Sequence, residues 1–280
     1  MSSGFGVAHL TDTHVPAGTS PEAQARALAS LDSVLGSLAD IDGLDLVVVS
    51  GDIADDGSAA GTEAVRDRIA RFASARGLAQ IFAVGNTDSR DVFRAALGSG
   101  HRDAAGADVA TAQLDTEQGG AVSEHHGLRV VTLDSTVPGQ LHGELTDDQL
   151  SWLSGVVTPE APHGTLLVMH HPPRTVEVTQ WLSSVALRSS EALASVLESS
   201  DVRAVLTGHF HAPALGFLGS APVWVSPAVE SRLDVAAPSG RLRFIDDPAA
   251  SVIRLPHGGT ASFVTVHAHS AGRVVREVSL

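Results

Sequence analysis

The chain of 280 residues has no cysteine and no tyrosine, and each of its 18 basic residues is an arginine. Without thiols there are no disulfides, thiolate nucleophiles or cysteine-ligated zinc, and the redox compartment stays open. Without lysine and tyrosine there is no Schiff-base chemistry and no phenolate nucleophile. No apolar run approaches the roughly 20 residues of a membrane span. The opening MSSGFGVAHL has neither the basic nor the apolar part of a secretory leader, so a cytoplasmic location is expected. Cationic charge is scarce too: 18 basic against 32 acidic residues give a formal net charge of −14. Such a surface disfavours nucleic-acid polymers and anionic membranes, both of which need cationic faces.

Histidine, by contrast, is abundant, with 14 in a chain that is only 4% aromatic. Several stand beside Asp, Gly and Pro, which is loop chemistry rather than core packing. At about 150 residues per domain the length admits one large domain or two small ones. No repeat or low-complexity linker cuts the chain, so one domain over 1–280 is expected. Residues 231–280 form its strand-rich C-terminal extension, supplying sheet edges or a partner surface rather than catalytic groups.

Short runs rich in Val, Leu and Ile recur at Phe5 to Leu10, Leu44 to Val49, Gln80 to Val84, Leu128 to Leu133, Thr165 to Met169 and Val202 to Leu206. Their length and composition predict strands covered on both faces. Helical patterns lie between them. Ser20 and Pro21 open a segment whose Leu28, Leu31, Leu35 and Leu38 share a face. Thr146 and Gln149 make a capping box, and Ala59 to Arg76 and Ser189 to Ser199 read as two more helices. The alternation predicts an α/β fold. Beyond Gly208 only strand-like pieces follow, at Val223 to Val225, Arg241 to Ile245, Ser251 to Leu255, Phe263 to His267 and Val274 to Val278. They predict a second, antiparallel sheet packed on the first.

In open α/β sheets ligands gather at the carboxyl ends of strands. Five apolar runs here are followed at once by polar groups: Asp12 and His14; Gly51 and Asp52; Gly85, Asn86, Thr87 and Asp88; His170 and His171; Gly208, His209 and His211. Carboxylate, amide and imidazole without sulfur suit borderline divalent metals. The glycines before Asp52, Asn86 and His209 are expected to let the backbone turn sharply.

In that order the blocks resemble the calcineurin-like metallophosphoesterases, whose pattern is D-x-H, G-D, G-N-x-D, H-x-P and G-H-x-H. The stretch LDSTVPGQLHGELTDDQLSWL, from Leu133 to Leu153, is similar to the bacterial class III cyclic nucleotide phosphodiesterases. The resemblance covers roughly residues 5 to 230. It implies a four-layer αββα sandwich of two mixed sheets with a dinuclear metal site at the strand C-terminal ends, and a possible homodimer. By position, Asp12, His14 and His211 would hold one metal and Asn86, His170 and His209 the other, with Asp52 bridging. Two divalent transition-metal ions, Mn or Fe first and Zn possible, would then support attack of a bridging hydroxide on a small phosphodiester, 3′,5′-cyclic nucleotides being the first expectation.

His171 would line the mouth or support the ligands. Thr87 stands where this branch carries a histidine that protonates the leaving oxygen, and threonine cannot do so at neutral pH. Asp88 would brace its loop or support the metal ligands from behind. His142 is a candidate for the substrate cleft and Arg174 for a phosphate contact. His101, His125 and His126 read first as solvated loop residues, with the alternative that one of them supplies the missing acid. Three other functions stay open: a broad-specificity phosphomonoesterase or phosphodiesterase on other small phosphates, a non-catalytic metal-binding scaffold, and, least favoured given the acidic balance, a repair nuclease.

Overall fold

The computed structural model describes residues 4–18, 20–176, 179–238 and 240–269. One six-stranded sheet has the order β15-β14-β1-β2-β3-β4. Its strands are β1 (Gly4–Leu10), β2 (Leu46–Ser50), β3 (Ala79–Ala83), β4 (His101–Arg102), β14 (Ala249–Pro256) and β15 (Ser262–His267). The second sheet, of seven strands, has the order β10-β11-β9-β8-β7-β6-β5. It is built from β5 (Ala112–Leu114), β6 (Gly120–His125), β7 (Leu128–Leu133), β8 (Thr165–Val168), β9 (Val202–Thr207), β10 (Ala214–Leu218) and β11 (Ala221–Val225). A two-stranded ribbon joins β12 (Arg232–Leu233) to β13 (Phe244–Ile245).

Both sheets are mixed. The central strands β1, β2 and β3 run parallel, as do β7, β8, β9 and β11, while outer pairings such as β1 with β14 and β6 with β7 are antiparallel. The six early apolar runs coincide with β1, β2, β3, β7, β8 and β9. Apart from the β12–β13 ribbon, the C-terminal strands do not make a sheet of their own. β10 and β11 extend the second sheet, while β14 slots between β1 and β15 in the first. An antiparallel strand can pair across any open edge, and apolar patterning alone does not say which. Val274 to Val278 lies outside the described residues.

Alternation along the central strands divides the core in three. Ala8, Leu10, Val47 and Val49 face outward with Leu31, Val34 and Leu38 of α1 (Pro21–Ala39) and Val65 and Ile69 of α2 (Ala59–Arg76). Val131, Leu167 and Val205 face the opposite way, towards Leu153 of α4 (Asp147–Val157) and Leu193 of α6 (Ser190–Leu197). Val7, Leu46, Val48 and Ile81 meet Val130, Leu166, Val168 and Leu206 between the sheets. These are the four layers. Each fully buried Leu or Val adds roughly 1.5–3 kcal/mol over exposure.

Caps fix the helix starts. The Ser20 side chain accepts from Ala23 N, with Pro21 in the first turn, and Thr146 and Gln149 complete a reciprocal capping box. The short helices α3 (Arg90–Leu97) and α5 (Gln180–Val185) complete the set. Among the described residues no helix is long and apolar enough to cross a membrane.

Candidate metal centre

β1, β2, β8 and β9 end together at one rim of the sandwich, and the chain leaves three of them in a strained conformation. Asp12, His14, Asp52, His209 and His211 all have positive φ, between 42° and 70°. Among the described residues only one other non-glycine residue, His126, does so. An L-residue in this left-handed region costs on the order of 1 kcal/mol or more and persists only where its surroundings hold it. The hold is visible: Asp12 N donates to Gly51 O and His14 N to Asp52 O, both at 3.0 Å. Val229 N and Glu230 N donate to the carbonyls of Thr11 and Asp12 at 3.0 Å.

The glycines serve differently from expectation. Gly51 does take a positive φ of 99°. Gly208 does not; a Cβ there would collide with Thr11 and Asp12, so glycine is needed for close approach, and the sharp turn falls on His209 itself.

Two groups of ligand-type atoms result, Asp12 with His14 and His211, and Asp52 with His170 and His209, each with its atoms within 4.8 Å of one another. Asp52 Oδ2 lies 3.5 Å from His14 Nε2 and 3.3 Å from His170 Nε2, so one carboxylate oxygen faces both groups. Its other oxygen accepts from Thr87 N at 2.9 Å. Asn86 lines the same cavity, and its Oδ1 is buried without a hydrogen-bond partner.

Hydrogen bonding fixes which imidazole nitrogen faces the site. His170 Nδ1 donates to the Ser50 carbonyl at 2.8 Å and His211 Nδ1 to the Ser231 carbonyl at 3.0 Å, since a carbonyl can only accept. His14 Nδ1 donates to Asp55 Oδ1 at 3.0 Å. The Nε2 atoms of neutral His14 and His211 then present lone pairs to each other across 3.1 Å. His170 Nε2 and His209 Nε2 are buried with no hydrogen-bond partner. Bare lone pairs beside two buried carboxylates form an electron-rich pocket that fits a pair of cations.

The titration behaviour expresses the same demand. Burial opposes charge on His170, yet Asp52 and Asp12 push its pKa up to about 9. Burial likewise works against ionised Asp12, but His211, His14 and His170 hold it well below the usual carboxylate range. His209, without a carboxylate so close, is lowered to about 3 by burial and by His170.

The remaining candidates separate. Asp88 accepts from Ile53 N and Ala54 N at 2.9 Å and from Gly85 N at 2.8 Å, tying two rim loops together. Burial, with the Asp52 charge nearby, raises it to about 6. His171 is fully buried rather than at the mouth, with Nδ1 2.9 Å from Ser135 Oγ, an Nε2 without a partner, and its ring 4.5 Å from that of His209. His142 is also buried; its neighbour Leu141 lines the cavity instead. Arg174 is exposed and outside that lining.

His101 is not solvated. It lies wholly buried between the sheets, bonded to Ser123 Oγ at 2.6 Å and Thr132 Oγ1 at 2.9 Å, and neither it, His125 nor His126 lines the cavity. Sequence reasoning missed Asp55, which orients His14, and Arg26, the one guanidinium among the described lining residues. An acidic residue three positions after Asp52 was a usable signal for the first. Arg26 reads in sequence as an ordinary helix surface.

Residues 5–213 match the calcineurin-like phosphoesterase family. A probable cyclic nucleotide phosphodiesterase of Rhodococcus erythropolis is 36% identical over 223 residues, 78% of this chain and 68% of that protein. A cAMP/cGMP dual specificity phosphodiesterase of Mycobacterium tuberculosis is 33% identical over 240 residues, 84% of this chain and 70% of its own. Among solved structures, a dimetal phosphatase from Danio rerio superposes with a TM-score of 0.58 at 16% identity, over 94% of this chain and 99% of that one. Sequence match and shared architecture agree with the geometry of the rim, and the chain belongs to the calcineurin-like phosphoesterase family.

Proposed function

We propose that the chain hydrolyses small phosphodiesters, 3′,5′-cyclic nucleotides first among them, in the cytoplasm. Asp12, His14 and His211 hold one divalent transition-metal ion, Asn86, His170 and His209 a second, and Asp52 is shared. Four imidazoles favour Mn or Fe over Mg, with Zn as a third choice. When bound, such a pair supplies Lewis acidity that activates water near neutral pH and neutralises charge on phosphoryl oxygens.

The chain's own residues do the positioning. Thr87 N orients Asp52 through Oδ1 and leaves Oδ2 free to face both groups. Asp55 fixes the His14 tautomer, as Ser50 O does for His170 and Ser231 O for His211. Asp88 keeps the Asp52 and Asn86 loops in register.

The observation that carries the choice of diester over monoester is the charge of the cavity, about 640 Å³ in volume. Asp52, Asp55, Glu230 and Asp246 line it, against Arg26 as the one guanidinium among its described residues. Beyond the two metal ions, a phosphomonoester dianion asks for further cationic side chains to match its extra charge; a singly charged diester does not. The same acidity turns away nucleic-acid polymers.

Leaving-group chemistry provides the test. Thr87 cannot protonate a departing alkoxide, and the imidazoles lining the cavity are those of His14, His209 and His211, already given to the metals. With Mn supplied, bis(4-nitrophenyl) phosphate is hydrolysed much faster than 4-nitrophenyl phosphate, and kcat/KM falls steeply as leaving-group pKa rises. Thr87→His raises the rate on cyclic nucleotides by roughly 10²-fold, within the range of a general acid, and changes the aryl diester little. A preference for the monoester would refute the reading. A shallow slope in the wild type would mean that an acid is already in place.

A further inference from the structure

The cavity over the rim has a wall unlike its floor. Large apolar side chains exposed to solvent number eight among the described residues, and three of them, Leu141, Trp181 and Phe244, line this one cavity, exposed by 57%, 39% and 51%. Apolar surface gathered in a concave polar site is the form of a ligand pocket, where flat apolar parts are buried and a few polar groups fix orientation.

Phe244 is the member whose place is best defined. Its ring lies 5.5 Å from that of His211, at 75°. The ribbon carrying it is pinned to the same histidine. Leu233 N donates to His211 O at 2.8 Å, and His211 Nδ1 donates to Ser231 O at 3.0 Å. An Arg232–Asp247 ion pair at 2.8 Å and the bond from Asp234 N to Arg243 O at 2.8 Å close the ribbon. A phosphoryl group at the rim therefore has an aromatic ring beside it at a fixed place, with Trp181 of α5 lining the same cavity, as do the carboxylates of Glu230 and Asp246, which can accept from N–H or O–H groups.

We infer that Phe244, with Trp181, is the specificity-determining shelf for the heteroaromatic base of a nucleotide substrate, so that the β12–β13 ribbon reads the organic half of the ester. This rests on the phosphodiesterase reading above. A base is the one part of a cyclic nucleotide that is flat and apolar on its faces, and stacking holds it without regard to hydrogen-bond pattern.

The probes are adenosine 5′-monophosphate and ribose 5-phosphate, which carry the same phosphate and differ in the base, titrated calorimetrically into the Mn-loaded full chain. The wild type binds the first roughly tenfold more tightly. Phe244→Ala and Phe244→Leu lose that margin, Phe244→Trp restores it, and with cyclic AMP the loss appears in KM rather than kcat. The leucine variant keeps an apolar side chain on the ribbon, so a folding defect in the alanine variant is recognised by an unchanged Tm in the other. The nucleotide quenches fluorescence in the wild type and not in Trp181→Phe, because Trp152 and Trp224 lie outside the cavity. Equal affinity for the two probes in the wild type, or a nucleotide margin retained in both small variants, or quenching retained without Trp181, overturns the inference. A margin lost with Phe244 in a protein that does not turn over cyclic AMP supports the shelf and removes the phosphodiesterase reading. Turnover of cyclic AMP with a margin independent of Phe244 removes the shelf alone.

Discussion

Histidines cross between the sheets in two places, and they are built in opposite ways. At the rim, His14 and His211 carry positive φ, and His170 and His209 keep Nε2 atoms with no hydrogen-bond partner. In the interior, His101 on β4 reaches Ser123 on β6 and Thr132 on β7, with both ring nitrogens bonded and an ordinary φ. The two share residue type, but one is partly exposed, strained and unsatisfied and the other buried, relaxed and complete. The first arrangement is stable only if something supplies positive charge; the second needs nothing more. What separates His170 and His209 from His101 is therefore the fate of the second nitrogen.

Breaking the rim has the largest effect. Asp52→Ala removes the carboxylate oxygen that lies 3.5 Å from His14 and 3.3 Å from His170, and activity on aryl phosphodiesters falls by roughly 10³-fold or more, with less metal retained on elemental analysis. Each ligand group also takes residues from both sheets: Asp12 and His14 follow β1 while His211 follows β9, and Asp52 follows β2 while His170 and His209 follow β8 and β9. Metal held by these groups would fasten the sandwich, and chelation is expected to lower the Tm. At free metal a hundredfold above Kd the loss is about 2.7 kcal/mol per site, readable by differential scanning calorimetry. A Tm unmoved by chelator and by added metal would show that the rim needs no cation.

Asp55→Ala leaves the His14 ring without its acceptor. Activity falls by roughly 10- to 100-fold and metal affinity with it, while Asp55→Glu retains part of both. Steady-state rates against metal concentration separate the two effects.

The interior histidine responds to pH instead. Burial lowers the His101 pKa from 6.5 to about 3, so below 6.5 the unfolded chain takes up a proton that the folded one refuses. The stability of the neutral form is complete above 6.5 and drains away as pH falls from there towards 3. His101→Gln breaks this bridge and costs about 1–3 kcal/mol at neutral pH, the penalty of imperfectly paired buried hydroxyls. Because the variant lacks the proton uptake, the gap narrows on acidification. Urea unfolding of both proteins at pH 7.5 and pH 5 measures it, and a gap that widens in acid would contradict the assignment.

The same contrast explains what the sequence disclosed. Strands with a continuous apolar run, such as Leu128–Leu133, and helices with side-chain caps, such as Pro21–Ala39, announce themselves because the signal lies within the segment. The rim residues were legible because each follows such a strand directly. His101 was not, since a histidine after Ser99 and Gly100 looks like a loop residue until β4 pairs with β3 and the second sheet closes over it. Phe244, Trp181 and Arg26 come from a ribbon, a short helix and a helix face far apart in sequence, and nothing local marks them as neighbours. Likewise β14 takes its place beside β1 from the far end of the chain, Phe5 opposite Leu255, where no periodicity could have named its partner.

Counting metal tests the account most directly. The two ligand groups predict that protein reconstituted with Mn and freed of excess by gel filtration carries two ions per chain by elemental analysis, and that Asp52→Ala carries at most one. A wild type holding one ion or none would mean that the strain and the bare nitrogens at the rim serve something other than a dinuclear centre.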